Sequence, residues 1–549
     1  MMTKSKSFKK NKAVIHLKAA LARITLTPHT LAFFLLSVIH CVAQGLTAAF
    51  IYSEDASSFS FVDSILRTAE VPNNEVARLF RSGGSLTLRL CTAAPIGNVY
   101  GDCETIWATD MEGGNETLVP RFLEDVALSA RSPLEGRAPP DSSLRAITDP
   151  TNGTVTGVLL TFDGGRESVI VSKTCARILE YPARILDNSW REDLALIGSQ
   201  FWLLGMSTFG ILYNSIPHIW AVVFARVMQS SWATYTLWRT GDVQFRYNAL
   251  ITGGNTPCHF DFLPGYFTTR IALQVPELVL NLTALLSTSF LAWRIVKGYS
   301  ASTIRRVGPP AGVMRIYKFF LVDSMFLQLS LFFTVTAISL WIDQLRNSSI
   351  AMLAHHPGLY YALFIGTIVT IVPWMIMGWF AVRREMKLLM AGFLFLNICY
   401  IALWSAMFYS SVYRWTFIEW PFFACSTMVS MGVLVGAAIF GTISWVNFGR
   451  GLAHYLHVEA VLLESDFNPD VFTNDEEKAP ANSSMNTPVQ RSPSALSQLS
   501  AEGVSVVKKD TNWDFSDVNR PAIYTVDVQV NQGTVRSMDS SMSKDSLAK

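Results

Sequence analysis

Charge is what this chain has least of. Lys, Arg, Asp and Glu make up 16% of its 549 residues against 50% hydrophobic ones, and mean hydropathy is +0.29. Such a balance excludes an ordinary soluble protein. Acid is missing altogether from residues 1–30, which carry Lys4, Lys6, Lys9, Lys10, Lys12, Lys18 and Arg23. That arm suits a cytosolic segment against anionic lipid rather than a nucleic-acid tail. Chemistry is scarce too. There is no Gly-rich phosphate cradle and no serine nucleophile elbow, and His355-His356 lacks the Asp, Glu or Cys spacing of a metal site. The expectation is a protein with no catalytic residues, no cofactor and no metal.

Long apolar runs are what the chain does have. About 20 helical residues cross the roughly 30 Å hydrocarbon layer, where no backbone polar group can be left unpaired. Eight stretches qualify: Leu31–Tyr52, Leu194–Tyr213, Ile216–Trp238, Ile271–Ile295, Phe319–Ile342, Gly358–Val382, Leu388–Ser410 and Phe417–Val446. The third carries Arg226 near its centre. The first is too long for a cleaved signal h-region of about 7 to 15 residues, so it reads as a retained signal anchor. Lys297, Arg305, Arg306, Arg315 and Lys318 crowd one connection, and Arg383, Arg384 and Lys387 another, whereas 344–358 has only Arg346 and 411–416 only Arg414. Basic connections stay in the cytosol. Both termini are therefore expected inside, in a plasma-membrane or secretory-pathway protein.

Residues 53–193 then form an extracellular or lumenal segment. Runs such as Ser85–Cys91, Val155–Phe162 and Ser168–Ser172 between Gly, Pro and Asn-rich turns predict a small β-rich domain, with a less ordered patch over 131–149. Asn115, Asn152 and Asn347 head acceptor sequons on the outer side. Seven cysteines divide into Cys41, Cys399 and Cys425 within spans and Cys91, Cys103, Cys175 and Cys258 outside. Four outer cysteines allow three connectivities. The expected one joins Cys91 to Cys103 across a short loop and Cys175 to Cys258.

A charge at a helix centre costs about 2.5 to 3.5 kcal/mol on insertion scales, so Arg226, Glu277 and Asp323 should face the bundle interior, with Arg226 paired to Glu277 or Asp323. In the last span Ser426/Ser430, Gly432/Gly436 and Ala437/Gly441 recur at spacing four and let another helix approach closely. Trp341, Trp415, Trp420 and Trp445 fall at the expected interfaces as an aromatic belt. Residues 447–465 follow with the pattern of an amphipathic surface helix. From 466 to 549 the chain is rich in Ser, Asn and Asp, the composition of a disordered tail, with Thr487 and Ser492 as phosphorylation candidates.

The blocks Arg383-Arg384-Glu385, Tyr413-Arg414-Trp415-Thr416-Phe417 and Asn447 to Leu452 resemble a group of uncharacterised fungal multipass membrane proteins, over roughly residues 194–463. The order of a β domain, seven spans and a surface helix is similar to that of seven-helix receptors and Golgi-type ectodomain proteins. The apolar runs make a bundle of about eight transmembrane helices, signal anchor plus seven, and the resemblance carries no catalytic residues. The expected function is a non-enzymatic receptor-like or adaptor-like membrane protein, partnered by membrane lipid, an external ligand or protein and a cytosolic tail-binding protein. The alternative is a transporter or channel using Arg226, Glu277 and Asp323. Against it, no repeat of hydropathy halves and no pair of Gly/Pro-broken helices is evident.

Overall fold

The computed structural model describes residues 18, 20–72, 75–82, 85–96, 103–109, 143–162, 167–253, 256–307, 311–348 and 357–464. Asn115, Thr487, Ser492, His355-His356, residues 1–17 of the basic arm and the tail from 466 lie outside them. The chain divides into two units, Met1–Pro469 and Asp470–Lys549, and every element described here belongs to the first.

Helix α1 is Pro28–Thr68, and the six strands are β1 (Val76–Ser82), β2 (Ser85–Cys91), β3 (Cys103–Ala108), β4 (Ser143–Thr148), β5 (Val155–Phe162) and β6 (Glu167–Ser172). Helices α2 (Lys173–Leu212), α3 (Ile216–Tyr247), α4 (Tyr266–Val307), α5 (Ala311–Asn347), α6 (Pro357–Arg383), α7 (Lys387–Met407), α8 (Ser411–Glu419), α9 (Pro421–Val446) and α10 (Leu452–Glu464) follow. Among the described residues seven helices, α1, α2, α4, α5, α6, α7 and α9, are long and apolar enough to cross a membrane. The eighth expected span, α3, forms as a 32-residue helix but falls short in hydropathy, because His218, Arg226, Gln229, Ser230 and Ser231 dilute its apolar run. It nevertheless packs within the bundle against α2, α4 and α5.

The boundaries expected at 53 and 193 fall inside continuous helices. Thr27 and Thr30 form a capping box around Pro28, and α1 then runs 41 residues. At about 1.5 Å per residue that is roughly 60 Å, twice the hydrocarbon thickness. Helix α2 runs 40 residues. Each helix is therefore longer than one crossing needs, and the β part is built on the excess, the C-terminal end of α1 and the N-terminal end of α2. Strands β1-β2-β3 and β4-β5-β6 make two separate antiparallel sheets. Three of the strands, β1, β3 and β4, were not singled out in the sequence, and β4 occupies part of the patch expected to be less ordered. Leu86, Leu88 and Leu90 alternate inward along β2, as a sheet with one covered face requires. They share one core with Val62 and Ile65 of α1, Leu160 of β5, Ile178 and Leu179 of α2, and Leu250 and Phe262 beyond α3.

Both expected disulfides are present. The β2–β3 register sets Cys91 opposite Cys103, and Cys175 in the first turn of α2 holds the 248–265 connection through Cys258. In the β4–β5 turn the Thr151 hydroxyl and backbone N–H both donate to Asp149, holding that carboxyl below its ordinary value and fixing the turn that carries exposed Asn152.

The bundle sorts into two groups. Helices α1, α2, α3 and α4 pack chiefly on one another, as do α5, α6, α7 and α9, with α3 and α2 meeting α5 along a seam and α10 touching α4, α5 and α6. Expected spacing-four contacts in α9 are made inside this bundle. A Cβ on Gly436 would meet the Phe326 ring at 2.7 Å, one on Gly441 would meet Met390 at 2.9 Å, and Ser430 shares a hydrogen bond with Thr334 at 2.8 Å. The span expected from 417 to 446 is broken: α8 ends at Glu419, Trp420 is extended, and Pro421 restarts the helix. Proline disfavours a helical residue before it and suits a first turn. Trp341, Trp415 and Trp420 do not form a belt. They are sealed in the core of the second group, with Trp341 edge-on to Tyr413 at 4.9 Å, while Trp445 is exposed. The short helix α8 folds over the end of the bundle and buries them.

Candidate functional site at the sheet end of the bundle

Two turns of α2, Asp187 to Asp193, hold an unusual density of buried polar groups: Asp187, Ser189, Arg191, Glu192 and Asp193 are all under 10% exposed. Their partners come from five other helices or helix starts. Glu192 accepts from both terminal nitrogens of Arg239 on α3, at 2.9 and 2.7 Å, and from the Trp420 indole N–H at 2.7 Å just before α9. Arg191 pairs with Asp187 and with Asp343 of α5, and Gln344 of α5 donates to Asn188 at 2.6 Å. Asp193 faces Asp55 of α1 and Arg270 of α4, which form an ion pair. Tyr266 donates to that Asp55 at 2.8 Å and accepts from Arg270 at 2.6 Å. A bidentate guanidinium–carboxylate pair away from water keeps its value only while every hydrogen bond is made, so this clasp fixes the helices in one arrangement.

The sequence pointed instead to Arg226, Glu277 and Asp323. All three are buried, and none pairs with another. Arg226 donates to His40 Nδ1 at 2.6 Å and reaches Gln200 at 3.5 Å, while Glu277 accepts from Gln44 Nε2 at 3.0 Å. The expected Arg226–Glu277 pair is therefore replaced by two contacts to α1. Helix α1 packs into the bundle against α2 and α4, and His40 and Gln44, one turn apart, meet the two charges separately. Asp323 on α5 is 1% exposed and neither carboxylate oxygen has a hydrogen-bond partner among the described residues.

Three cavities lie along the seam between the helix groups. Two overlap, of about 550 and 560 Å³, sharing Trp202 and Phe332, and the second reaches Arg191 and Asp343 of the clasp. Their walls are largely apolar. Among the described residues no cluster of three or more His, Cys, Asp and Glu is placed to hold a metal ion. Two of the sequon asparagines differ in setting: Asn152 is exposed on a turn, and Asn347 is exposed at the end of α5 with its amide donating to Asp343 at 2.5 Å. Cys41, Cys399 and Cys425 are free thiols.

The sheets touch both helix groups. Arg177 of α2 pairs with Glu75 and Glu104, at 3.1 and 3.0 Å, and Arg184 donates to the Ala77 carbonyl. On the other side Arg78 of β1 lies 5.1 Å from the Trp415 ring centroid on α8 and 4.0 Å from Glu419, and Val76 is buried in the second group's core. Comparison with protein-family models, curated proteins and solved structures finds no match for this chain. What the fold and site define is a multipass helical membrane protein with a small two-sheet β part and two disulfides.

Proposed function

We propose that this chain is a non-enzymatic receptor-like or adaptor-like membrane protein, whose β part meets an external ligand or protein and whose bundle relays that event to a phosphorylatable tail. One observation carries the reading: the β part is continuous with the first helix group through α1 and α2 and rests through Arg78 and Val76 on α8 and the core of the second. A partner that shifts the sheets thereby acts on the seam directly. In this reading α3 crosses as the eighth span, α1 is a retained signal anchor and both termini lie in the cytosol. Asn115, Asn152 and Asn347 carry glycans outside, while Thr487 and Ser492 are phosphorylated inside. Its setting is the plasma membrane or the secretory pathway, and the likeness to fungal multipass proteins belongs to the same proposal.

Two experiments test it. Glycosidase treatment should raise gel mobility in the wild type and less so in Asn152→Gln and Asn347→Gln; a glycan on an acceptor engineered into 297–318 contradicts the topology. Deleting 466–549 should leave membrane delivery intact and abolish association with cytosolic partners. Unchanged association would remove the relay.

The second reading, transport, is favoured by the Asp323 carboxylate, without a hydrogen-bond partner among the described residues, and by the cavities along the seam. Buried intramembrane acids of that kind mark ion pathways in pumps. Its measure is solute or proton flux in reconstituted vesicles: flux that Asp323→Asn eliminates in a folded protein makes transport the function.

A further inference from the structure

The two overlapping cavities of the seam, about 550 and 560 Å³, meet around Trp202 of α2 and Phe332 of α5, whose rings stack at 4.6 Å. Helices α2 and α5 touch each other only sparsely there. On α2 the lining of the second cavity runs from Trp190 to Trp202, and on α5 from Leu331 to Asp343. Each wall is therefore about 18 Å of helix. One leaflet of hydrocarbon is about 15 Å deep, half of the roughly 30 Å core, so the groove reaches from the level of the clasp to the middle of the membrane. Leu194 and Met428 on its rims are exposed within apolar runs, which opens it sideways to lipid.

Its polar features are few and placed at one end. Ser339 and Asp343 lie one turn apart on the α5 wall. The Ser339 hydroxyl is exposed inside the apolar run 319–342 and makes no hydrogen bond among the described residues, whereas Thr208 and Thr367 elsewhere in the bundle donate to the carbonyl four residues back. A hydroxyl left without a partner in hydrocarbon is costly. Arg191 at the same end is already paired with Asp187 and Asp343. A phosphate headgroup would meet the Asp343 carboxylate there with the nearby guanidinium engaged. A neutral hydroxyl suits the place better, since it can donate to the carboxylate and accept from Ser339. Below it the walls are aromatic and aliphatic, and Gly198 leaves open space, for a Cβ there would meet no atom within 4 Å. A rigid fused-ring body fills such a groove at less entropic cost than a flexible acyl chain, and its flat face matches Trp202 and Phe332.

We propose that this groove binds a sterol from the leaflet on the sheet side, with its hydroxyl at Ser339 and Asp343 and its rings against Trp202 and Phe332. The site is independent of whether the protein relays or transports.

The test uses the full chain in phosphatidylcholine nanodiscs containing a photoreactive cholesterol with its hydroxyl intact. Adducts are mapped by peptide mass spectrometry, unlabelled cholesterol is the competitor, and thermal unfolding is the fold control. Labelling should concentrate in 190–202 and 331–343. Ser339→Ala should weaken binding roughly threefold to tenfold, the scale of one hydrogen bond. Gly198→Leu, whose side chain enters the groove without touching the clasp, should fold and weaken binding roughly tenfold or more. Retained binding in Gly198→Leu overturns the site, as does labelling spread equally over the exposed Leu286 and Phe290 of α4, which marks ordinary bilayer contact. The methyl ether of cholesterol, with no O–H to donate, should compete about threefold or more less well than cholesterol. Equal competition, or no effect of Ser339→Ala, overturns the hydroxyl pairing. Equal competition by oleic acid overturns the sterol assignment in favour of an acyl chain.

Discussion

Glu192 and Asp323 are both carboxylates sealed among helices, and their surroundings set opposite expectations. Glu192 accepts three hydrogen bonds, from Arg239 and Trp420. Arg239→Met leaves it a buried acid with one donor and should lower stability by about 3 to 5 kcal/mol, read as a drop in unfolding temperature in detergent. Among the described residues Asp323 has no such partners, so Asp323→Asn breaks no pair and should leave stability within about 1 kcal/mol of the wild type. A large loss of stability there would mean that its carboxylate is bound by something other than the described side chains. The difference also explains what could be read in advance. Arg226, Glu277 and Asp323 stand out because each interrupts an apolar run. Asp55, Glu192, Arg239 and Arg270 sit one to three residues beyond such runs, where local composition reads as connection and no signal in one sequence says that the helix continues. The density of charge in Asp187–Asp193 was the available hint, obscured by assigning that stretch to the outer domain.

For the elements, apolar runs located helix centres and missed helix ends. Hydropathy reports where lipid is, whereas helix ends are set by caps and prolines, as at Thr27-Pro28 and Trp420-Pro421. Strands β1 and β3 escaped because Val76–Ser82 and Cys103–Ala108 lack the clean alternation of β2. The quoted blocks Arg383–Glu385 and Asn447–Leu452 meet in space. Gly449 and Gly451, both at positive φ, turn the chain so that Glu385 caps the start of α10. Glu385→Ala should cost about 1 kcal/mol, and amide exchange should quicken over 452–464 while the sheets stay protected. Gly436→Val forces a branched side chain against Phe326 and should destabilise the α5–α9 contact by about 1 to 3 kcal/mol. Cys258→Ser releases the 248–265 connection from α2. Loss of a bridge spanning 83 residues should cost about 2 to 4 kcal/mol, and non-reduced peptide mapping of the wild type should recover the Cys175–Cys258 pair.

Within the first unit, Met1–Pro469, two helix groups are held together at one end by a polar clasp and β sheets and parted at the other by a cavity. If the sheets couple the groups, Arg78→Ala should leave each group folded while loosening their relation, seen as faster exchange over α8 with little change in α1. The contact of Arg226 with His40 joins residues 186 apart in sequence, and that of Glu277 with Gln44 joins residues 233 apart. These separations become a timetable during synthesis. At about 5 to 20 residues per second, His40 and Gln44 are made roughly 10 to 50 seconds before their partners leave the ribosome. Helix α1 therefore waits with His40 unsatisfied until α3 is made and Gln44 until α4, and a nascent chain arrested before α4 should stay associated with the insertion machinery longer than one arrested after it.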